Sequence, residues 1–97
     1  MENLTCKLTT PELKRRRATV ISDLKELQKR NEELADGLRL TFSSADDVLD
    51  KLLDFIKSER LCCEFFSFRL SVIGENAILD ITGPEGSREF LRHEVGF

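Results

Sequence analysis

Several things are missing from this chain, and each absence narrows what it can be. No apolar run is long enough to span a bilayer, and no charged-then-apolar leader ending in small residues opens the sequence. Cytoplasm is therefore the expected compartment. A basic excess is also lacking: 15 Lys and Arg stand against 18 Asp and Glu, for a net charge of −3. That argues against general nucleic-acid binding, which needs a basic field to displace counterions. The one basic run, Lys14-Arg15-Arg16-Arg17, fans around a helix axis instead of forming a stripe, which suits a solvated surface. Repeats and low-complexity segments are absent, and Gly and Pro are few. The cysteine count is three, odd and without the spacing of a secreted disulfide framework, so reduced thiols are expected. Ninety-seven residues suit a single domain with one core.

What is present reads as alternating helix and strand signals. Residues 3–9 alternate strictly, with Leu4, Cys6 and Leu8 on one face, and predict a half-buried strand with Cys6 turned inward. Thr10-Pro11-Glu12 starts a helix running to about Lys29 with Leu13, Val20, Ile21, Leu24 and Leu27 on its apolar side. Arg17 falls within that stripe, where its stem packs and its head reaches water. Asp36-Gly37 links a short strand around Glu32–Leu34 to a second at Leu38–Phe42, with Gly37 supplying the positive φ of a hairpin turn. Ser44-Ala45-Asp46-Asp47 resembles a capping box. A second helix follows, presenting Val48, Leu49, Leu52, Leu53, Phe55 and Ile56, and runs toward Cys62 or Cys63. The period then becomes two: Phe66, Phe68, Leu70 and Val72 share a face. A turn at Gly74-Glu75-Asn76 leads to a strand over Ala77–Thr82, and Gly83-Pro84-Glu85-Gly86-Ser87 opens a short last helix carrying Phe90 and Leu91. Strand, helix, hairpin, helix, hairpin, helix is the order of an α+β two-layer sandwich, a mainly antiparallel sheet with helices largely on one face.

Glu59-Arg60-x-Cys62-Cys63-x-Phe65, then Phe68-x-Leu70, then Leu79-x-Ile81-x-Gly83-Pro84-x-Gly86-x-x-x-Phe90-Leu91, resembles a family of small bacterial proteins of unknown function. Its members read E-R-x-C-C-P-F before an F-x-L strand and a G-P-x-G-x-x-x-F-L ending. The likeness extends upstream to Cys6-x-Leu8-Thr9 and Glu33-Leu34-x-Asp36-Gly37. Glu64 stands where the family pattern has proline, and it lets the helix run slightly further. The resemblance implies a fold and a set of positions, not an activity.

The chemistry-bearing residues centre on Cys62-Cys63. Thiols suit Zn, Cu(I) or other thiophilic ions, and thiolates are nucleophiles and redox centres. Spacing weighs against the simplest version: neighbours on a helix point about 100° apart, so the two sulfurs do not converge while it is intact. The pair is not C-x-x-C, and a disulfide between neighbours closes a strained ring. Otherwise one cysteine simply fills the helix–strand junction as a small hydrophobe. Cys6 is the natural third thiol, with a buried core position as the plainer account. Glu59, three and four residues before the pair, is a base or ligand beside a thiol, or else a solvated residue or one ion-paired to Arg60 or Arg69. His93 reads as a surface residue. Gly83–Ser87 lacks the lysine and glycine spacing of a phosphate loop and reads as a turn.

The leading reading is a small cytosolic, non-enzymatic protein in which Cys62, Cys63 and Cys6, with Glu59 assisting, form a thiol site for soft metal or redox chemistry. The alternative is a structural or interaction module that homodimerises, its cysteines belonging to the core. A third reading is a thiol enzyme with Cys63 as nucleophile and Glu59 or His93 assisting, which requires a cleft at the cysteines and a lowered thiol pKa.

Overall fold

In the computed structural model, which describes residues 10–97, three helices and a four-stranded antiparallel sheet form an α+β fold. The expected strand over 3–9, and Cys6 with it, lies outside the described residues. Helix α1 spans Pro11–Leu27 and starts as its sequence requires: the Thr10 hydroxyl accepts a hydrogen bond from the Leu13 N–H at 3.3 Å, and Pro11 takes the first position, where its missing N–H costs nothing. The helix ends two residues sooner than expected, because Lys29 already donates its N–H to the Thr41 carbonyl at 2.7 Å.

Strands β1 (Arg30–Leu34) and β2 (Gly37–Ser43) form the first hairpin, and β3 (Ser67–Ile73) and β4 (Asn76–Thr82) the second. The two interlock in the order β1-β2-β4-β3. Leu38, Leu40 and Phe42 of β2 and Ala77, Leu79 and Ile81 of β4 are wholly buried on one face, the one the helices cover. Phe68 and Leu70 of the edge strand β3 continue that face half-buried, and it runs out into exposed Val72. The opposite face carries exposed Arg39 and Arg69 and half-buried Thr41, Ile78, Asp80 and Ser71, and no described helix covers it.

Helix α2 (Asp46–Cys62) buries Val48, Leu52, Phe55, Glu59 and Cys62, spaced alternately by four and three residues along one seam. Leu53 lies off that seam and is 46% exposed. The last helix, α3 (Ser87–Phe90), widens into a π-helical turn over Leu91–Val95 that seats Leu91, Val95 and Phe97 in the core. Phe97, Phe55, Phe68, Phe66, Phe90 and Phe65 form one connected set of ring contacts, with centroids 4.5–6.2 Å apart and mostly edge-to-face.

Two local expectations are corrected. Ala45, not Ser44, precedes the first turn of α2, with no side-chain cap. The Ser44 hydroxyl instead donates to the Gly74 carbonyl at 2.8 Å, and Ser43 Oγ accepts from the Ala45 N–H, so both hydroxyls fasten the helix start to its surroundings. Nor is Gly37 a positive-φ residue. Its small size answers to packing: a Cβ there would stand 1.8 Å from the Ile81 carbonyl oxygen of β4.

Gly37→Ala must therefore push β2 and β4 apart, and we expect a loss of about 3 kcal/mol or more. Gly74 has φ +58° with nothing near the missing Cβ, so Gly74→Ala costs only the left-handed strain, about 1 kcal/mol. Urea unfolding of the two variants would show this ordering, and a Gly37→Ala protein as stable as wild type would refute the packing account.

Candidate functional site

Two oppositely charged residues occupy apolar seams on neighbouring helices. Arg17 lies among Leu13, Val20, Ile21 and Leu24 on α1, and Glu59 takes the seam position between Phe55 and Cys62 on α2. They meet: Arg17 Nε donates to Glu59 Oε2 at 2.5 Å, and Nη2 donates to Oε1 at 2.9 Å. Glu59 is 0% exposed and the Arg17 side chain 17%. The expectation of an arginine head in water fails here, while Lys14, Arg15 and Arg16 are exposed as expected. The expected partners of Glu59, Arg60 or Arg69, give way to a residue 42 positions away. A planar guanidinium matching both carboxylate oxygens is the geometry that lets a buried acid keep its charge. The guanidinium pKa lies above its ordinary value: burial pulls it down, and the bonds to Glu59 more than offset that.

The same carboxylate reaches the cysteines. Helix α2 ends at Cys62, without the extra length expected from Glu64, and Cys63 leaves it in a non-helical conformation (φ −126°, ψ 73°). Its N–H still donates to the Glu59 carbonyl at 2.6 Å, and its own carbonyl accepts from the Phe66 N–H at 3.1 Å, starting the turn into β3. The expectation of diverging sulfurs held for an intact helix, and the helix ends between the two: Cys63 Sγ lies 3.5 Å from Cys62 Sγ. Cys63 Sγ also donates to Glu59 Oε1 at 3.8 Å, so this oxygen accepts from both Arg17 and the thiol.

Both cysteines are 0% exposed. The expectation of reduced thiols holds at Cys63, which is free, and fails at Cys62, which is disulfide-bonded. Burial pushes the Cys63 thiol from an ordinary 9.0 up to about 12; the Glu59 charge adds to the rise, and Arg17 opposes it. Cys63 therefore rests as a thiol hydrogen-bonded to a carboxylate, not as a thiolate.

Of the expected metal set, Cys62, Cys63 and Glu59 come together, and Cys6 lies outside the described residues. Among the described residues no group of three or more His, Cys, Asp or Glu side chains is arranged to hold a metal ion. His93 is exposed on the last helical turn, whereas the Cys63 thiol is wholly buried. A groove of about 270 Å³ between α1 and α2, lined by Leu13, Arg16, Arg17, Val20, Lys57 and Leu61 among others, reaches Arg17 but neither cysteine. No helix among the described residues is long and apolar enough to cross a membrane. Compared with family models, with curated proteins and with solved structures, the chain finds no match in any of the three.

The raised thiol pKa fixes a pH dependence. Folded Cys63 holds its proton to about 12, while the unfolded thiol releases it near 9.0, so its stabilisation is complete below pH 9 and is lost as pH rises to 12. Chemical denaturation should show wild type losing about 1.4 kcal/mol per pH unit more than Cys63→Ser across that window; parallel curves would contradict it. Glu59→Gln removes the acidic neighbour and leaves Arg17, so the pH midpoint of Cys63 alkylation should fall below the wild-type value. Arg17→Met should raise it. Hydrogen exchange at the α2 amides would verify that both variants are folded, and a Glu59→Gln midpoint equal to wild type would rule out control by Glu59.

Proposed function

We propose that the Cys62-Cys63 junction is a thiol–disulfide exchange site and that the protein is a small redox-responsive, non-enzymatic protein. The observation that carries this reading is the free Cys63 sulfur 3.5 Å from the sulfur of disulfide-bonded Cys62.

Exchange then runs as a balanced step. Cys63, once deprotonated, attacks Cys62 Sγ; the existing disulfide bond to Cys62 breaks, a Cys62–Cys63 bond forms, and the sulfur that Cys62 was bonded to leaves as thiolate and takes up a proton. No net oxidation occurs. The vicinal disulfide closes a strained ring, so it reverts or is reduced by an external dithiol, which is itself oxidised to a disulfide while Cys62 and Cys63 each gain a hydrogen. Because Cys63 holds its proton to about 12, attack is slow at neutral pH. The disulfide is thus guarded by its own relay thiol, and an opening of the α1–α2 pair that brings Cys63 to solvent is the event that would speed exchange.

Soft-metal binding does not fit the oxidised form, in which the Cys62 sulfur is committed to a disulfide and Cys63 keeps its proton. A Zn or Cu(I) set of Cys6, Cys62 and Cys63 belongs to the reduced protein alone.

Thiol trapping in denaturant followed by non-reducing peptide mapping tests this reading. Air-oxidised protein should yield alkylated Cys63 and a Cys62 peptide held in a disulfide. Titration with dithiothreitol at pH 8 should then reduce Cys63→Ser more slowly than wild type. Three alkylated cysteines, or equal reduction rates, would defeat the proposal.

A further inference from the structure

The open face of the sheet carries a row of four charges in register. Glu32 of β1 pairs with Arg39 of β2, Arg39 with Asp80 of β4, and Asp80 with Arg69 of β3. Read across the sheet, the signs run minus, plus, minus, plus. Arg39 grips Asp80 through two hydrogen bonds at 2.8 and 2.9 Å, while Glu32 and Arg69 end the row as exposed residues. No described helix covers this face, and it also displays Leu34, Thr41, Ile78 and Ile73, the last 64% exposed.

Such a row is complementary to its own reverse. A second copy placed face to face, related by a two-fold axis running along the strands, sets Arg69 against Glu32 and Asp80 against Arg39 at all four positions. A two-fold axis across the strands would set like charge on like. The neighbouring rows agree with the first arrangement: Ile78 then opposes Thr41, Ser71 opposes Arg30, and Ser67 opposes Leu34.

We infer that this face binds a second copy of the chain, in an isologous face-to-face pair with strands aligned. Strands spaced about 4.8 Å, three of them about 23 Å long and β1 about 17 Å, give roughly 400 Å² per copy, about half of a standard interface. The pair is therefore weak and reversible, and its dependence on exposed charges makes it sensitive to salt. This inference is independent of the thiol chemistry.

Sedimentation equilibrium at low ionic strength tests it with two exposed positions whose reversal leaves the Arg39–Asp80 pair intact. Glu32→Arg and Arg69→Glu should each dimerise at least tenfold more weakly than wild type. Mixed together they should form a heterodimer, because their rows are complementary at every position. The combined variant Glu32→Arg/Arg69→Glu, again complementary to its own reverse, should recover wild-type association. Circular dichroism would check that each variant is folded. A wild-type protein that stays monomeric at millimolar concentration, or a mixture that associates no better than its separate components, would overturn the inference.

Discussion

The contact between Arg17 and Glu59 is the constraint on which the rest depends. A carboxylate with no exposed surface is costly by several kcal/mol unless a charge and hydrogen bonds stay with it, and one guanidinium from another helix supplies both. Helix α1 is therefore fixed against α2 in register as well as by apolar packing, because sliding either helix by a turn would strand the acid. Exchanging the pair for apolar residues of similar volume need not destabilise the fold, whereas removing one partner must. The pair contributes position and charge state more than net stability.

That position places a negative charge beside Cys63. Had α2 continued one residue further, the two sulfurs would have diverged; had the carboxylate been absent, Arg17 would have favoured the thiolate. The helix end at Cys62 and the acid one turn before Cys63 act on the same sulfur in opposite senses. The first brings it to 3.5 Å from Cys62, and the second adds to the burial that keeps it protonated. Proximity without reactivity is the property behind the redox reading: a thiol next to a disulfide, slow to use it until the helix pair opens.

Much of the fold was legible in the sequence, because it rests on periodicity. Leu38, Leu40 and Phe42 alternate inward, α1 starts at a hydroxyl followed by proline, and the change of period at Phe66 marks the second hairpin. The misreadings came where long-range contacts overrode local chemistry. Ser44 has the look of a cap but is committed to Gly74, and Gly37 answers to the Ile81 carbonyl of a strand 40 residues on. The Cys62-Cys63 junction was visible as an unusual pair, yet its geometry was not, since nothing local requires α2 to stop between the two. Arg17–Glu59 left a signal that went unused. Each charge sits in the apolar stripe of an amphipathic helix, and opposite charges in the stripes of two helices are candidates to meet.

The most direct measurement is a double-mutant cycle on that pair, using Arg17→Met, Glu59→Leu and the double variant, followed by urea unfolding. Arg17→Met strands a buried carboxylate and should cost about 3–5 kcal/mol. The double variant should be more stable than Arg17→Met alone, with a coupling energy of about 2 kcal/mol or more. Additive effects, with the double variant losing the sum of the two single costs, would mean that the helices are held by apolar packing alone and that Glu59 does not depend on Arg17.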